Sequence, residues 1–146
     1  MTCRQAPATR SSPSRSARPC AGAVIVSTPQ DLALIDARKG LAMFAKTQVP
    51  VLGIVENMST FICPHCGQES HIFGHGGARA EARKLGVPFL GEIPLVLLIR
   101  ETSDAGTPVV VQAPHSPEAD AFRRVAREVA AGVASAQRQA PRIVLE

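Results

Sequence analysis

The stretch Cys63-Pro64-His65-Cys66-Gly67 carries the most chemistry in this 146-residue chain. Two thiols two residues apart can turn toward one metal ion or one cluster edge, and Pro64 and Gly67 favour the tight turn this requires. One such pair supplies two ligands, whereas a closed zinc or iron–sulfur site usually takes four. Further ligands are at hand nearby: Cys63, Cys66, His71 and His75 read C-x2-C-x4-H-x3-H, a spacing that could close a zinc site and make the chain a zinc-binding structural or interaction module. A thioredoxin-like redox pair fits less well, because nothing before Cys63 sets a first cysteine at a helix N-terminus. His65 reads as a solvent-facing filler between the cysteines, and His115 has no evident partner.

Three apolar runs must position this loop. Ala23-Val24-Ile25-Val26 and Val51-Leu52-Gly53-Ile54-Val55 are short and β-branched, as strands buried on both faces are, and Pro88 to Ile93 reads as a third. They begin 28 and 37 residues apart with helical patterns between them, the rhythm of βαβ units on a parallel sheet. The first helix is expected from Thr28 to about Lys46, with Thr28 as cap, Pro29 at the first position and Asp31 completing a capping box. A second is expected over Ala78 to Leu85, opened by the turn Gly74-His75-Gly76-Gly77 and stopped by Gly86. That turn before a helix could be a phosphate nest, but without a lysine it reads better as a close-packed turn. Val109-Val110-Val111 is a possible short fourth strand. A last helix from Ser116 is expected to bury Phe122, Val125, Ala126, Val129 and Val133. The fold class is therefore α/β, a partial parallel sheet with flanking helices.

Composition narrows the function. The chain is 45% hydrophobic, with five Phe and neither Tyr nor Trp, so a base-stacking surface for nucleic acid is not expected. The formal charge of +4 is local: four of the sixteen basic residues, Arg4, Arg10, Arg15 and Arg18, fall in the acid-free stretch 1–20, and the other twelve balance twelve acids. Residues 1–20 read as a disordered or non-native tail or, being rich in Arg and Ser, as a mitochondrial targeting peptide; residues 136–146 read as a second tail. Cys3 and Cys20 are taken as incidental thiols of the first tail. No apolar run reaches membrane-spanning length, and no membrane partner is expected. A C-x-x-C in a chain with four cysteines suits a reducing compartment, here the cytoplasm or alternatively the mitochondrial matrix.

Six segments in order resemble the C-terminal half of the Mrp family, P-loop ATPases related to MinD and ParA that carry iron–sulfur clusters. They are Val26-Ser27-Thr28-Pro29-Gln30-Asp31, Glu56-Asn57-Met58-Ser59, Cys63-Pro64-His65-Cys66, Ile72 to Gly77, Ile93-Pro94-Leu95 and Ile99 to Asp104. The resemblance covers roughly residues 21–131, within a segment 21–135 read as the C-terminal half of an ATP-binding, cluster-carrier domain. It implies a homodimer through the cysteine loop. Cys63 and Cys66 would join their symmetry mates around one bridging four-iron, four-sulfur cluster, and a two-fold axis is the simplest way to double two ligands. Apo iron–sulfur proteins would then receive the cluster. It also implies that Asn57 contacts an adenine and that Ile93 and Pro94 line it, although Asn57 could be a plain turn residue and Pro94 a plain loop proline.

The chain departs from that family in two respects. It contains no Gly-Lys dipeptide, hence no G-x-x-x-x-G-K-[ST] loop, and no aspartate-bearing strand end to organise Mg²⁺. An incomplete, weak ATP site and no ATP hydrolysis by the isolated chain are expected, with a separate N-terminal ATPase half as a candidate partner. Val96-Leu97 stands where the family usually shows Asp-Pro.

Overall fold

The computed structural model describes residues 20–138. Expectations for residues 1–19 and 139–146 fall outside them. The elements are β1 (Ala23–Ser27), α1 (Asp31–Lys46), β2 (Val51–Ile62), β3 (Glu69–Ser70), α2 (Gly77–Leu85), β4 (Phe89–Leu95), α3 (Leu97–Asp104), α4 (Val109–Gln112) and α5 (Pro117–Arg138). The central strand β2 pairs in parallel with β1 on one side, through Ile25↔Ile54 and Ser27↔Glu56, and with β4 on the other, through Asn57↔Ile93. The expected α/β class and parallel sheet are what the chain forms.

The apolar runs lie in the sheet because both faces are covered. Ile25 and Ile54 point to one side, where they meet Leu34 and Ala37 of α1 and Ala78 and Ala82 of α2. Val55, Leu90 and Ile93 point to the other and meet Ala121 of α5. A bidentate ion pair from Arg38 on α1 to the buried carboxylate of Glu81 on α2 ties the first helical layer together; its second contact measures 2.9 Å.

Several local expectations are corrected. The capping box of Thr28 and Asp31 does not form: α1 starts at Asp31 with Gln30 at the cap position and no side-chain cap. The chain bends at the buried Pro29 and at Gln30 before the helix begins, which leaves Thr28 two residues short of the cap. The strand expected to end at Val55 continues as β2 to Ile62. Val109 to Val111 is a helical turn rather than a strand: Pro108 precedes it, its carbonyl accepts the Val111 and Gln112 N–H groups, and Val109 is buried. Helix α3 was not legible as a helix. In α5 the buried face runs through Ala121, Val125 and Val129, while Phe122 is 37% exposed and Ala126 is exposed. No helix among the described residues is long and apolar enough to cross a membrane.

Candidate functional site

The cysteines stand at the tip of a hairpin that grows out of the central strand. After Glu56 the strand parts from β1 and bends through Met58, whose φ of 57° is rare for a non-glycine residue, while its pairing with β4 resumes at Phe61↔Leu95. It then pairs antiparallel with β3, Phe61↔Ser70 and Ile62↔Glu69. The tip is closed by Cys63 N–H donating to the Gln68 carbonyl at 3.0 Å and Gly67 N–H donating to the Cys63 carbonyl at 2.9 Å. Gly67 takes a φ of 69°, which a turn this tight asks of glycine. Cys63 is half-buried and Cys66 exposed. The backbone N–H of Cys66, then that of His65, then the Cys66 side chain hold the Cys63 thiol below its ordinary range. That favours the thiolate, the form that ligates metals.

Among the described residues no group of three or more His, Cys, Asp or Glu side chains is gathered closely enough to hold a metal ion. The zinc quartet read from spacing is therefore not assembled. His71 and His75 stack on each other with ring centroids 4.3 Å apart. His71 Nδ1 also lies 3.4 Å from the Ser59 carbonyl oxygen, on the outgoing strand rather than at the tip. Cys63 and Cys66 remain as a pair of free thiols.

The returning end of the hairpin is fastened by a residue that sequence reasoning missed. Glu56, fully buried, accepts hydrogen bonds from Gly76 N–H at 3.0 Å and Ala78 N–H at 2.7 Å. It caps α2 from a distance, since the local cap position, Gly76, is left-handed with no side chain to offer. Its signal in the sequence was an acidic residue closing an otherwise apolar strand. Of the glycine turn, expected to be close-packed, Gly77 alone is so: a Cβ on it would come within 2.5 Å of the Pro29 carbonyl oxygen, whereas one on Gly76 would meet nothing within 4 Å.

The three residues read as nucleotide-facing are brought together. Asn57 and Ile93 are cross-strand partners, and Pro94 follows. Asn57 Oδ1 accepts the Met58 N–H at 3.0 Å, which orients the amide and leaves its NH₂ as the donating end. The Ile93 side chain is 4% exposed and belongs to the core beside Val55, and its carbonyl accepts the Ser59 hydroxyl at 3.3 Å. Pro94 is half-buried. Asn57 also borders an open groove of about 500 Å³ with Ser27, Thr28 and α1. The Thr28 hydroxyl oxygen is buried there without a hydrogen-bond partner among the described residues.

Iron-sulfur cluster transfer and carrier proteins are among the proteins similar to this chain. The chain is 54% identical over 111 residues to the iron-sulfur cluster transfer protein NUBPL of Dictyostelium discoideum, covering 76% of this chain and 34% of that one. It is 53% identical over 113 residues to the iron-sulfur cluster carrier protein of Escherichia coli K12, covering 77% of this chain and 31% of that one. The chain thus spans about a third of the length of these relatives. Among solved structures it superposes on the nucleotide-binding protein of Archaeoglobus fulgidus in complex with ADP, with a TM-score of 0.54 and 43% identity over 65% of this chain and 38% of that one. It also superposes on the cell division ATPase MinD of Pyrococcus furiosus, with a TM-score of 0.59 and 28% identity over 74% of this chain and 41% of that one. The family described as ParA, NUBPL iron-transfer P-loop NTPase, matches residues 13–130, and the chain belongs to that family.

Proposed function

We propose that this chain carries iron–sulfur clusters and hands them to apo proteins. The observation that carries the reading is a two-thiol half-site at a hairpin tip, with one thiol biased toward thiolate and no third ligand gathered beside it. Two copies related by a two-fold axis bring Cys63 and Cys66 together with their mates, giving four thiolates for one four-iron, four-sulfur cluster as cargo. A cluster held only at an exposed tip is accessible to an acceptor's thiolates, as transfer requires. The names of the relatives support this direction.

The nucleotide side is half-built. Asn57, with the backbone of Ile93 and with Pro94, offers a base-recognising edge, supported by the ADP in the archaeal neighbour. No phosphate-binding Gly-Lys motif is present in the sequence, so the chain alone binds ATP weakly and does not turn it over. Among the described residues β1 pairs only with β2, and its residue Val26 is 62% exposed. That edge accepts a strand from the phosphate-binding half of the domain, whichever polypeptide supplies it. The working compartment is reducing, the cytoplasm or the mitochondrial matrix.

Anaerobic reconstitution with iron and sulfide tests the reading. The expected product is a brown dimer absorbing broadly near ~400 nm, with colour and dimer both lost in Cys63→Ser and Cys66→Ser. A colourless monomer holding one zinc, released by His71→Ala, overturns it.

A further inference from the structure

The hairpin that carries the cysteines has two roots. One is the point where β2 parts from β1, at Asn57 and Met58. The other is where the chain returns, at Gly76 to Ala78. A single side chain joins them: Glu56 is the last residue of β2 paired with β1, and both its carboxylate oxygens bind backbone N–H groups of the return. Everything between, including Asn57, Cys63, Cys66 and the stacked His71 and His75, is an excursion closed by that clasp.

The burial makes the clasp exacting. Glu56 is wholly inaccessible to solvent and forms no ion pair, among the described residues, that would compensate its charge. Its neighbours across the sheet are Ser27 on β1 and Glu92 on β4. Its two hydrogen bonds are therefore the interactions seen to hold the carboxylate, and charge-assisted bonds to backbone N–H are short and directional. Gly77 adds a second constraint, pressed against Pro29 in the connection between β1 and α1. The returning root is thus pinned both to the strand that bears Asn57 and to the β1–α1 connection that borders the groove. A rigid root matters for a half-site, because two thiols must meet two others in a fixed geometry, and groups behind the ligands set that geometry.

We propose that Glu56 is the positioning residue of the cysteine hairpin, setting the orientation in which Cys63 and Cys66 are presented to a cluster. This rests on the reading of those cysteines as cluster ligands. It adds a residue that touches no iron but decides how firmly the cluster is held.

Glu56→Gln in the full chain is the test, with Glu81→Gln as its counterpart. Both replace a buried carboxylate that contacts or lies on α2, but Glu81 faces Arg38 and not the hairpin. In Glu56→Gln one amide oxygen still accepts while the NH₂ confronts the second N–H, so the clasp opens on one side. The expected result has two parts. Hydrogen exchange at Gly76 and Ala78 accelerates in Glu56→Gln and not in Glu81→Gln. Cluster release to a chelator, followed by the visible absorbance, accelerates about tenfold in Glu56→Gln, the scale of second-layer effects on metal sites, and stays within about twofold of the parent in Glu81→Gln even where thermal stability falls further. Equal release rates in parent and Glu56→Gln, or rates that merely track melting temperature across both variants, overturn the proposal. Should Glu56→Gln not fold, Glu56→Asp keeps the charge but reaches only one N–H, and carries the same comparison. A parent chain that takes up no cluster refutes the carrier reading instead, while the exchange at Gly76 and Ala78 still reports on the clasp.

Discussion

The two halves of β2 are built for opposite purposes. From Leu52 to Glu56 every residue is buried, with side chains alternating into two packed layers. From Asn57 to Ile62 only Ser59 is buried, the backbone turns through a left-handed Met58, and the strand ends in an exposed thiol loop. The first half spends its side chains on the core and has none left for a ligand. The second gives up sheet pairing along one flank and gains reach. A functional loop placed directly on the most buried strand inherits that strand's rigidity, the usual reason for carrying reactive groups on loops of a stiff scaffold.

The sharpest way to break this contrast is to mutate one residue in each half. Ile54 is 0% exposed and belongs to the cluster shared by α1 and α2. Ile54→Ala is expected to lower stability by about 2–5 kcal/mol, transfer and cavity terms together. Cys63→Ser is expected to change the stability of the cluster-free protein by no more than about 0.5 kcal/mol, as at other partly exposed sites without structural bonds, while abolishing cluster uptake. Urea titrations followed by circular dichroism give both values. Comparable losses in the two variants would mean that the hairpin tip is part of the core after all.

Acid should separate the packed core from the hairpin in a second way. The Glu81 carboxyl is held below the ordinary carboxylate range, first by its hydrogen bond from Arg38 and also by that guanidinium's charge, with burial opposing. A depressed folded value means the carboxylate stabilises the folded state above the ordinary carboxylate pKa of about 4, and that this contribution is lost as pH falls through the depressed value. Urea midpoints should therefore drop on acidification, and Glu81→Gln should flatten that acid limb. Cys63 titrates in a different window. Its thiol is also depressed, so its alkylation by iodoacetamide should persist to lower pH in the folded chain than in urea. A Cys63 profile identical in the two states would remove the thiolate bias from the hairpin.

The scaffold was more legible than the site. Strands such as Val51 to Val55 announce themselves, because burial on both faces demands an unbroken apolar run. The cysteine pair was equally plain, since few other roles explain two thiols at that spacing. What stayed hidden depended on contacts between distant residues. The role of Glu56 needs Gly76 and Ala78, twenty and more positions away, to be folded back on its strand. The failure of the zinc quartet also lies in space, where His71 turns to Ser59 instead of the tip. The Val109 to Val111 run misled because β-branched residues in a row favour a strand locally, while Pro108 and packing under α5 impose a helical turn. Thr28 misled by two residues, because the helix begins only after a bend at the buried Pro29 and at Gln30.

The smallest expected effect lies at the start of α3, beyond the strand that partners the hairpin's root. Val96 occupies the cap position there, extended at φ −130° and ψ 141°, and offers no side-chain hydrogen bond to the free N–H groups of the first turn. The related family usually places Asp-Pro where this chain has Val96-Leu97, and the physics of that pair is now visible. An aspartate at the cap adds a side-chain acceptor to the first turn, where the Val96 carbonyl already accepts the Ile99 N–H at 3.2 Å, and a negative charge there also suits the positive end of the helix dipole. A proline at Leu97 would sit at the first helical position, where its missing N–H costs nothing. Leu97 is 46% exposed, so its removal empties no core. Val96→Asp is therefore expected to raise stability by about 1 kcal/mol, with no change in cluster release, because α3 lies outside the clasp. A midpoint shift in the same urea titration measures the gain. A loss of stability would show that Val96, half-buried in this chain, contributes more by packing than a cap returns. A change in cluster release would extend the hairpin's supports from Glu56 across β4 to the helix that follows it.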